Sequence, residues 1–303
     1  MAEQHTDVVE RNYVAQEVNI ANMVSEKEQR LFHIKNKDCA IYRLMAEPLK
    51  QLDLFLEPGK SWLTVADYNG LEANYLLGMG QNVVASDLSD ALLREANAEG
   101  LIKEYSKQNV ERLTFGNGSF DYVMCKEAFH HFPRAYLGLY EMIRVSRIAT
   151  IMVTEPIDIL SKMSVLMFIK NILDKVDPFL INRFWKNRFS WEIVGNYVFK
   201  ISEREIEKIA MGIGLPCIAF KHYTNYASHQ QVDGLLDVPL NKKVYGTIKR
   251  KLALRSFISS IGIVPHGSVC TILFKEQPNE TLKQALKNQG FVTLQLPPNP
   301  YLK

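Results

Sequence analysis

Short apolar runs alternate with helical stretches between residues 60 and 156, and this alternation restricts the possible folds more than any other feature of the sequence. Strands that alternate with helices at this spacing predict βαβ units, a parallel sheet and therefore an α/β fold. The predicted strands are WLTVAD, NVVASD, a weaker run near SKQNV, FDYVMC and ATIMVTEP. Two later runs, LPCIAFKHY and SVCTILFKE, bring the predicted number of strands to seven.

Parallel sheets bind ligands just beyond the carboxyl ends of their strands, so the side chains at those positions are the informative ones. In this chain they are mostly polar: Asp67, Asp87, Asn109, Lys126 to His131, and Glu155. The sequence therefore predicts a binding site along one edge of the sheet.

The 303 residues divide into three predicted parts. Residues 1–57 form an N-terminal helical cap, because apolar residues recur at helical spacing until EPGK interrupts them. Residues 58–278 hold the sheet, with insertions at about 157–200, predicted as helical, and at about 228–265. Residues 279–303 form a C-terminal helix and an extended tail.

The formal net charge is only +3, so nucleic acid is not an expected partner. The charge is unevenly spread, however, because seven basic and no acidic residues lie between Val238 and Lys275. This tract is either a solvated face or a surface for an anionic acceptor, a phosphate or a membrane headgroup, which includes a peripheral membrane contact. Its basic residues are Lys242, Lys243, Lys249, Arg250, Lys251, Arg255 and Lys275.

The four cysteines are widely scattered and form no metal-ligand pattern, which predicts reduced, buried thiols and a cytoplasmic protein. The N-terminus has no apolar signal core. The longest hydrophobic stretch, residues 160–181, is interrupted by charged residues that include Lys162, Lys170, Asp174 and Lys175, and it is too polar for an ordinary transmembrane helix. No histidine and carboxylate set has metal-ligand spacing, so no metal is expected.

An acid at the end of the second strand suggests an adenosine ligand, because a carboxylate there can accept both ribose hydroxyls. Asp87 follows Asp67 by about twenty residues, as such sites require. The alternative is that Asp87 only caps the helix predicted to begin near Ser89. The loop ADYNGLEAN has Gly70 alone instead of three glycines, which argues against a dinucleotide pyrophosphate and so against an NAD oxidoreductase. A sulfonium cofactor needs no such phosphate cradle.

These segments together resemble a class I S-adenosylmethionine-dependent methyltransferase of the small-molecule, type 11 kind, over residues 60 to 156. The resemblance implies a Rossmann-like, mostly parallel seven-stranded sheet with helices on both faces, and S-adenosylmethionine as cofactor. By this similarity Asp67 and Gly70 line the methionine end, and Asp87 with Leu88 holds the ribose and adenine. Asn109 and Val110 lie near the adenine, and Lys126 and Glu127 flank the methyl-donor cleft.

The loop after the first strand departs from the family pattern, which has three glycines where this chain has DYNGLEA. Tyr68 and Asn69 occupy positions where the backbone approaches the cofactor, and Asn69 is expected to supply the positive φ there. The departure keeps open a fold that has lost catalysis and serves as a binding module.

His130 and His131, in CKEAFHHFPRAY, are the candidate general bases, because histidine titrates near neutral pH. Sugar O-methyltransferases that the chain resembles pair such a histidine with an acid after the fifth strand, which implies Glu155. Packing is the alternative for the pair. The remaining histidines singled out as surface or packing residues are His33, His222, His229 and His266.

The predicted activity is O-methylation of a small hydrophilic acceptor, such as a sugar, a nucleotide-sugar or a glycan end. An N- or C-methyltransferase acting on a natural product or lipid is the alternative enzyme. The cap and the first insertion are expected to cover the acceptor side, where Trp185, Trp191 and Tyr197 would stack on the acceptor or pack between helices. The acceptor and the oligomeric state are not indicated by the sequence.

Overall fold

A computed structural model describes residues 2–177, 190–191, 195–225, 242–298 and 300–301. The helices are α1 (Ala2–Asn22), α2 (Lys27–Lys35), α3 (Ala40–Ala46), α4 (Leu71–Gly78), α5 (Ala91–Ala98), α6 (Ala135–Val145), α7 (Ile159–Lys162), α8 (Ser164–Leu173), α9 (Glu203–Gly212), α10 (Lys242–Ser260) and α11 (Glu280–Asn288). Three 3-10 helices cover Met23–Glu26, Glu47–Phe55 and Phe129–His131. The strands are β1 (Ser61–Val65), β2 (Asn82–Asp87), β3 (Glu104–Lys107), β4 (Phe120–Lys126), β5 (Ser146–Pro156), β6 (Cys217–Tyr223), β7 (Ser268–Phe274) and β8 (Val292–Gln295).

All eight described strands form one sheet in the order β3-β2-β1-β4-β5-β7-β6-β8. The first five strands run parallel, and β7, β6 and β8 add antiparallel pairs. The α/β, mostly parallel architecture is confirmed. The described sheet has eight strands where seven were predicted, because the tail expected to be merely extended pairs with β6 as β8.

The core lies on both faces of the sheet, and every residue of the central strand β4 is buried. A parallel strand covered on both faces is mostly apolar, which explains why the run from Tyr122 to Cys125 has no polar alternation. On one face α3 contributes Leu44, and the following 3-10 helix contributes Leu49 and Phe55, to the cluster around Trp62. Part of the predicted cap is therefore core. The four cysteines are buried free thiols, as predicted.

Two helices begin without a capping hydrogen bond from the side chain of their N-cap residue. Helix α5, which was predicted to begin near Ser89, begins at Ala91 with Asp90 at its N-cap. Ser202 does precede α9, but its side chain makes no capping hydrogen bond. Glu203 instead contacts Lys162 of α7.

The two predicted insertions are described in part. Helices α7 and α8 belong to the first and α10 belongs to the second. Trp185 and His229 lie outside the described residues, and so do residues 178–189, 192–194 and 226–241. No helix of the described ranges is both long and apolar enough to cross a membrane.

Candidate active site at the carboxyl ends of the strands

A large cleft opens beyond the carboxyl ends of β1, β2, β4 and β5, with a volume of about 1720 Å³. Small-molecule sites usually enclose about 300–1,000 Å³, so this cleft has room for two ligands side by side. Eight of the eleven predicted site residues line it: Asp87, Leu88, Asn109, Val110, Lys126, Glu127, His130 and His131. The other three, Asp67, Gly70 and Glu155, do not line it.

Three strands that end at the cleft carry a non-glycine residue in the left-handed region. These residues are Ala66 after β1 (φ 56°), Glu127 after β4 (φ 51°) and Thr154 in β5 (φ 63°), and all three line the cleft. Such a conformation costs about 1–3 kcal/mol per residue and is concentrated at functional sites. The strain therefore marks the same edge of the sheet that the sequence predicted.

Asp67 lies beneath the cleft, where it holds the start of α4. Its fully buried carboxyl group accepts hydrogen bonds from Thr64 Oγ1 at 2.9 Å and from the amide nitrogens of Ala73 and Glu72 at 2.8 and 3.3 Å. These bonds satisfy amide groups that the first turn of a helix leaves without intrahelical partners. Contact between Asp67 and a cofactor remains a prediction.

The loop between β1 and α4 uses its single glycine for packing. Gly70 has a φ of 79°, and a Cβ atom there would lie 2.9 Å from Cγ2 of Ile102. The expectation that Asn69 supplies a positive φ is wrong, because Ala66 and Gly70 hold the left-handed positions. The Asn69 side chain instead donates to the carbonyl of Arg30, at 3.0 Å.

Glu72, which sequence reasoning missed, forms a buried ion pair with Lys126. Nζ of Lys126 lies 3.1 Å from Oε1 of Glu72, and their side chains are 3% and 10% exposed. Burial and the charge of Glu72 raise the pKa of Asp67 well above its ordinary value. Burial also opposes ionisation of Glu72, but Lys126 and a hydrogen bond with Asp67 lower its pKa overall. Within this pair the proton is therefore favoured on Asp67 and the negative charge on Glu72.

Asp87 presents a buried carboxyl group to the cleft at the end of β2. Its Oδ1 accepts a hydrogen bond from the Ser89 amide at 3.0 Å, and burial raises its pKa to about 7. Leu88 beside it, with Asn109 and Val110 after β3, lines the same end of the cleft. The carboxyl group thus both stabilises the turn before α5 and faces the space where a ligand would lie.

His130 and Glu155 form a hydrogen-bonded dyad. Nδ1 of His130 lies 2.8 Å from Oε2 of Glu155, while the other carboxylate oxygen accepts the amides of Ala128 and Phe129 at 2.9 and 3.1 Å. Although burial opposes it, the contact with His130 and these two amides lower the pKa of Glu155. Because a carboxylate can only accept, Nδ1 carries a proton, and Nε2 is the basic nitrogen of the neutral ring.

His131 lies beside His130, with the two ring centroids 4.0 Å apart. Its carbonyl oxygen accepts two hydrogen bonds, from Nε2 of Gln16 at 3.0 Å and from Nδ2 of Asn196 at 2.7 Å. Gln16 belongs to α1 and Asn196 to the first insertion. The loop that carries both histidines is therefore fixed from two sides of the cleft.

A row of aromatic rings leads from this loop to the surface. Phe129, Tyr136, Phe199, Tyr197 and Trp191 follow one another with centroid separations of 5.7, 6.2, 5.2 and 6.0 Å. The predicted stacking residues Trp191 and Tyr197 are 60% and 39% exposed and line the cleft. They are therefore available to a ligand rather than enclosed in a helix interface.

The N-terminal helices contribute residues that sequence reasoning missed or misjudged. Tyr13, Gln16 and Arg30 line the cleft, and so does His33, which was expected to be a surface or packing residue. Burial, reinforced by the charge of Arg30, lowers the pKa of His33 to about 4. No local pattern marks these positions, because the fold of the whole chain brings α1 and α2 over the sheet.

Residues 63–153 match the sequence profile of a methyltransferase domain family. No curated protein matches the chain. Among solved structures, one chain of the complex between the Haloferax volcanii Trm112 methyltransferase activator and a methyltransferase has the same fold as this chain. The TM-score is 0.51 at 12% sequence identity, and the match covers 85% of this chain and 98% of that one. The structure of magnesium protoporphyrin IX methyltransferase of Synechocystis with bound S-adenosylhomocysteine has a TM-score of 0.46 at 13% sequence identity. The match covers 86% of this chain and 99% of that one.

Proposed function

We propose that this chain, which is a class I S-adenosylmethionine-dependent methyltransferase, methylates a hydroxyl group of a small hydrophilic acceptor with His130 as general base. A sugar, a nucleotide-sugar or a glycan end is the acceptor class that we infer. The observation that carries the proposal is the dyad of His130 and Glu155 at the wall of the cleft.

The residues at one end of the cleft fit the adenosine part of the cofactor. Asp87 offers a buried carboxyl group where a ribose would lie. Because this carboxyl group has little contact with water, two ribose hydroxyls would supply the hydrogen bonds that water does not. Leu88 and Val110 supply apolar contacts, and Asn109 adds an amide for the adenine edge. We infer that these four residues hold the adenosine.

The charges beneath the other end fit an amino acid zwitterion. Lys126 and Glu72 provide opposite charges within 3.1 Å of each other, and Glu127 adds a second carboxylate beside Lys126 at 3.5 Å. A bound ammonium group could approach the carboxylates, and a bound carboxylate could approach Lys126. The missing glycines are therefore compatible with cofactor binding, because charged side chains surround the methionine end. S-adenosylmethionine supplies a methyl group that a positive sulfur activates for transfer.

The dyad supplies what an alcohol acceptor needs, which is removal of a poorly acidic proton. Glu155 fixes the ring through Nδ1 and stabilises the imidazolium form electrostatically. Nε2 of His130 would take the hydroxyl proton as the acceptor oxygen bonds to the methyl carbon and the bond between that carbon and sulfur breaks, with S-adenosylhomocysteine as the leaving group. A general base placed in this way contributes about 10²- to 10⁴-fold to the rate.

The acceptor side of the cleft supports a sugar more than a purely apolar molecule. Trp191 and Tyr197 present rings on which a sugar can stack, and Glu205 and Lys200 add polar groups to the lining. A neutral amine is a stronger nucleophile than a hydroxyl group, so an amine acceptor would need the general base less than a hydroxyl acceptor does.

The test is methyl transfer from isotopically labelled S-adenosylmethionine to UDP-glucose, methyl glucoside and ethanolamine as probes. We expect product from at least one hydroxyl probe, with the methyl group located on oxygen by mass spectrometry and NMR. His130→Gln should lower turnover about 100-fold or more. It should leave the affinity for S-adenosylhomocysteine, measured by calorimetry, within a few-fold of wild type.

His131→Gln is the matched control, because it removes the neighbouring ring without touching Glu155. Wild-type turnover in His130→Gln combined with a large loss in His131→Gln would assign the base to His131. Transfer to the nitrogen of ethanolamine, with no product from the other two probes, would favour the N-methyltransferase alternative and contradict the acceptor class proposed above.

A further inference from the structure

Helix α8 turns an apolar face away from the cleft. Val165, Phe168, Ile169, Ile172 and Val176 are 72%, 66%, 43%, 48% and 80% exposed. The first four of these residues belong to α8, and Val176 follows the helix end. Their spacing of three or four residues places all five on one side of the helix. Lys170, on the opposite side, lines the cleft and pairs with Asp174. The exposed side chains therefore form a continuous stripe next to the cleft wall.

Helix α10 carries a second stripe of the same kind. Leu254 and Phe257 are both 62% exposed and lie one helical turn apart, and Ile261, Ile263 and Val264, which are 54%, 63% and 40% exposed, follow in the segment just after the helix. Arg255 of the same helix lines the cleft. Both stripes thus lie on elements that form the wall of one cleft, and apolar surface of this extent usually marks a docking site.

Basic side chains accompany the two stripes. Exposed or half-exposed cations flank them at Lys162, Lys175, Lys249, Arg250 and Lys251, and no acidic residue occurs between 242 and 275. On the α8 side, Lys162 pairs with Glu203, Lys170 pairs with Asp174, and Asp177 lies close by. On the α10 side, Lys249 pairs with Glu47. The excess of positive charge therefore lies along α10.

We propose that α8 and α10 dock this protein on an anionic lipid surface. Helices that lie in a membrane interface combine an apolar face with lysine and arginine at its margins, as both of these helices do. A protein partner fits less well, because the buried cores of protein interfaces are depleted in lysine. A second copy fits poorly too, because an isologous contact would bring basic residues against basic residues. The inference is independent of the acceptor proposed above.

The docking would place the cleft beside the membrane, since Lys170 and Arg255 belong both to the docking helices and to the cleft wall. An amphiphilic acceptor could then pass from the lipid into the site without crossing water. Neither the dyad nor the residues assigned to adenosine belong to the docking helices.

Sedimentation of the full-length chain with lipid vesicles tests the proposal. We expect binding to vesicles of phosphatidylcholine mixed with phosphatidylglycerol, weak binding to phosphatidylcholine alone, and loss of binding at high salt. Arg250→Gln/Lys251→Gln should weaken binding to the anionic vesicles by roughly 10- to 30-fold, since each basic residue near such a surface contributes about 1 kcal/mol. Phe168→Ser/Phe257→Ser should weaken it at least about tenfold.

Met79→Ser/Ile213→Ser is the matched control, because these apolar residues are 47% and 42% exposed but lie on α4 and α9 ends, away from both stripes. It should bind vesicles like the wild type, and all variants should keep the wild-type thermal midpoint. Absence of binding to anionic vesicles would overturn the proposal. So would self-association, measured by light scattering, that Phe168→Ser/Phe257→Ser abolishes while vesicle binding is unchanged.

Discussion

Nζ of Lys126 and Oε1 of Glu72 lie 3.1 Å apart and join the end of β4 to the first turn of α4, with both side chains almost fully buried. The pair lies beside the loop between β1 and α4, and it is bordered by Asp67 below and Glu127 at the cleft. The Lys126 ammonium group lies near the carboxyl groups of Glu72, Glu127 and Asp67, and it keeps this end of the cleft polar. The buried charge of Lys126 is paired with that of Glu72.

Lys126→Met should destabilise the protein by about 3–5 kcal/mol, because it leaves the Glu72 carboxylate buried without its cation. Glu72→Gln/Lys126→Met should lose clearly less than the two single variants added together. Denaturant unfolding of the four proteins near neutral pH measures this coupling.

Lys50→Met is the control for that cycle, because Lys50 and Glu47 form a comparable contact of 2.9 Å at the surface. Exposed pairs contribute about 0–1 kcal/mol, so this variant should remain close to wild type. Strict additivity of Lys126→Met and Glu72→Gln would show that the buried contact carries no coupling energy.

Asp87→Asn should separate cofactor binding from stability. Burial raises the pKa of Asp87 to about 7, so the folded state favours the protonated form and the free energy of unfolding decreases as the pH rises toward and through 7. The variant lacks this decrease, and above pH 7 it should gain at most about 4 kcal/mol relative to wild type. Thermal unfolding on either side of pH 7 measures the difference.

The same variant should bind S-adenosylhomocysteine roughly 10- to 100-fold more weakly, because a charged acceptor of hydrogen bonds is lost. In the wild type the affinity should fall as the pH decreases below about 7, where Asp87 becomes protonated, and in Asp87→Asn it should not. Calorimetry at several pH values gives both results. Equal affinity in the two proteins would contradict the ribose assignment.

Gly70→Ala should destabilise the protein without weakening cofactor binding. A Cβ atom at this left-handed position would lie 2.9 Å from the Ile102 side chain, whereas Gly70 does not line the cleft. The control is Gly59→Ala, which has the same φ but open space around its Cβ position, and which isolates a conformational cost of about 1–2 kcal/mol. We expect Gly70→Ala to exceed that cost by about 1–3 kcal/mol in denaturant unfolding. A large loss of S-adenosylhomocysteine affinity would instead place Gly70 at the cofactor.

The sequence predicted the sheet and the edge that carries the site, because both depend on local periodicity. The strand ends hold Asp87, Lys126 and the histidine loop where the parallel topology requires them. The eighth strand was less visible, since VTLQ is short and takes its place only by pairing with β6.

Contacts between distant segments could not be predicted in this way. From the sequence, Glu72 is an acidic residue in the first turn of a helix, which is a common position for one. Lys126 lies next to it only because β1 and β4 are neighbours in the sheet. His33 was predicted to be a surface or packing residue, and which of the two it is depends on how α2 packs over the loop at Asn69. Such contacts depend on tertiary packing, which the periodicity of apolar residues within a single helix or strand does not predict.

The carbonyl oxygen of His131 has two lone pairs, and the side chains of Gln16 and Asn196 occupy both of them. One amide comes from the N-terminal cap and the other from the first insertion, the two regions that cover the cleft. Any change in those covers that accommodates a different acceptor also alters the support of the loop that carries His130. Substitutions at Gln16 and at Asn196 should therefore both shift the loop that carries His130.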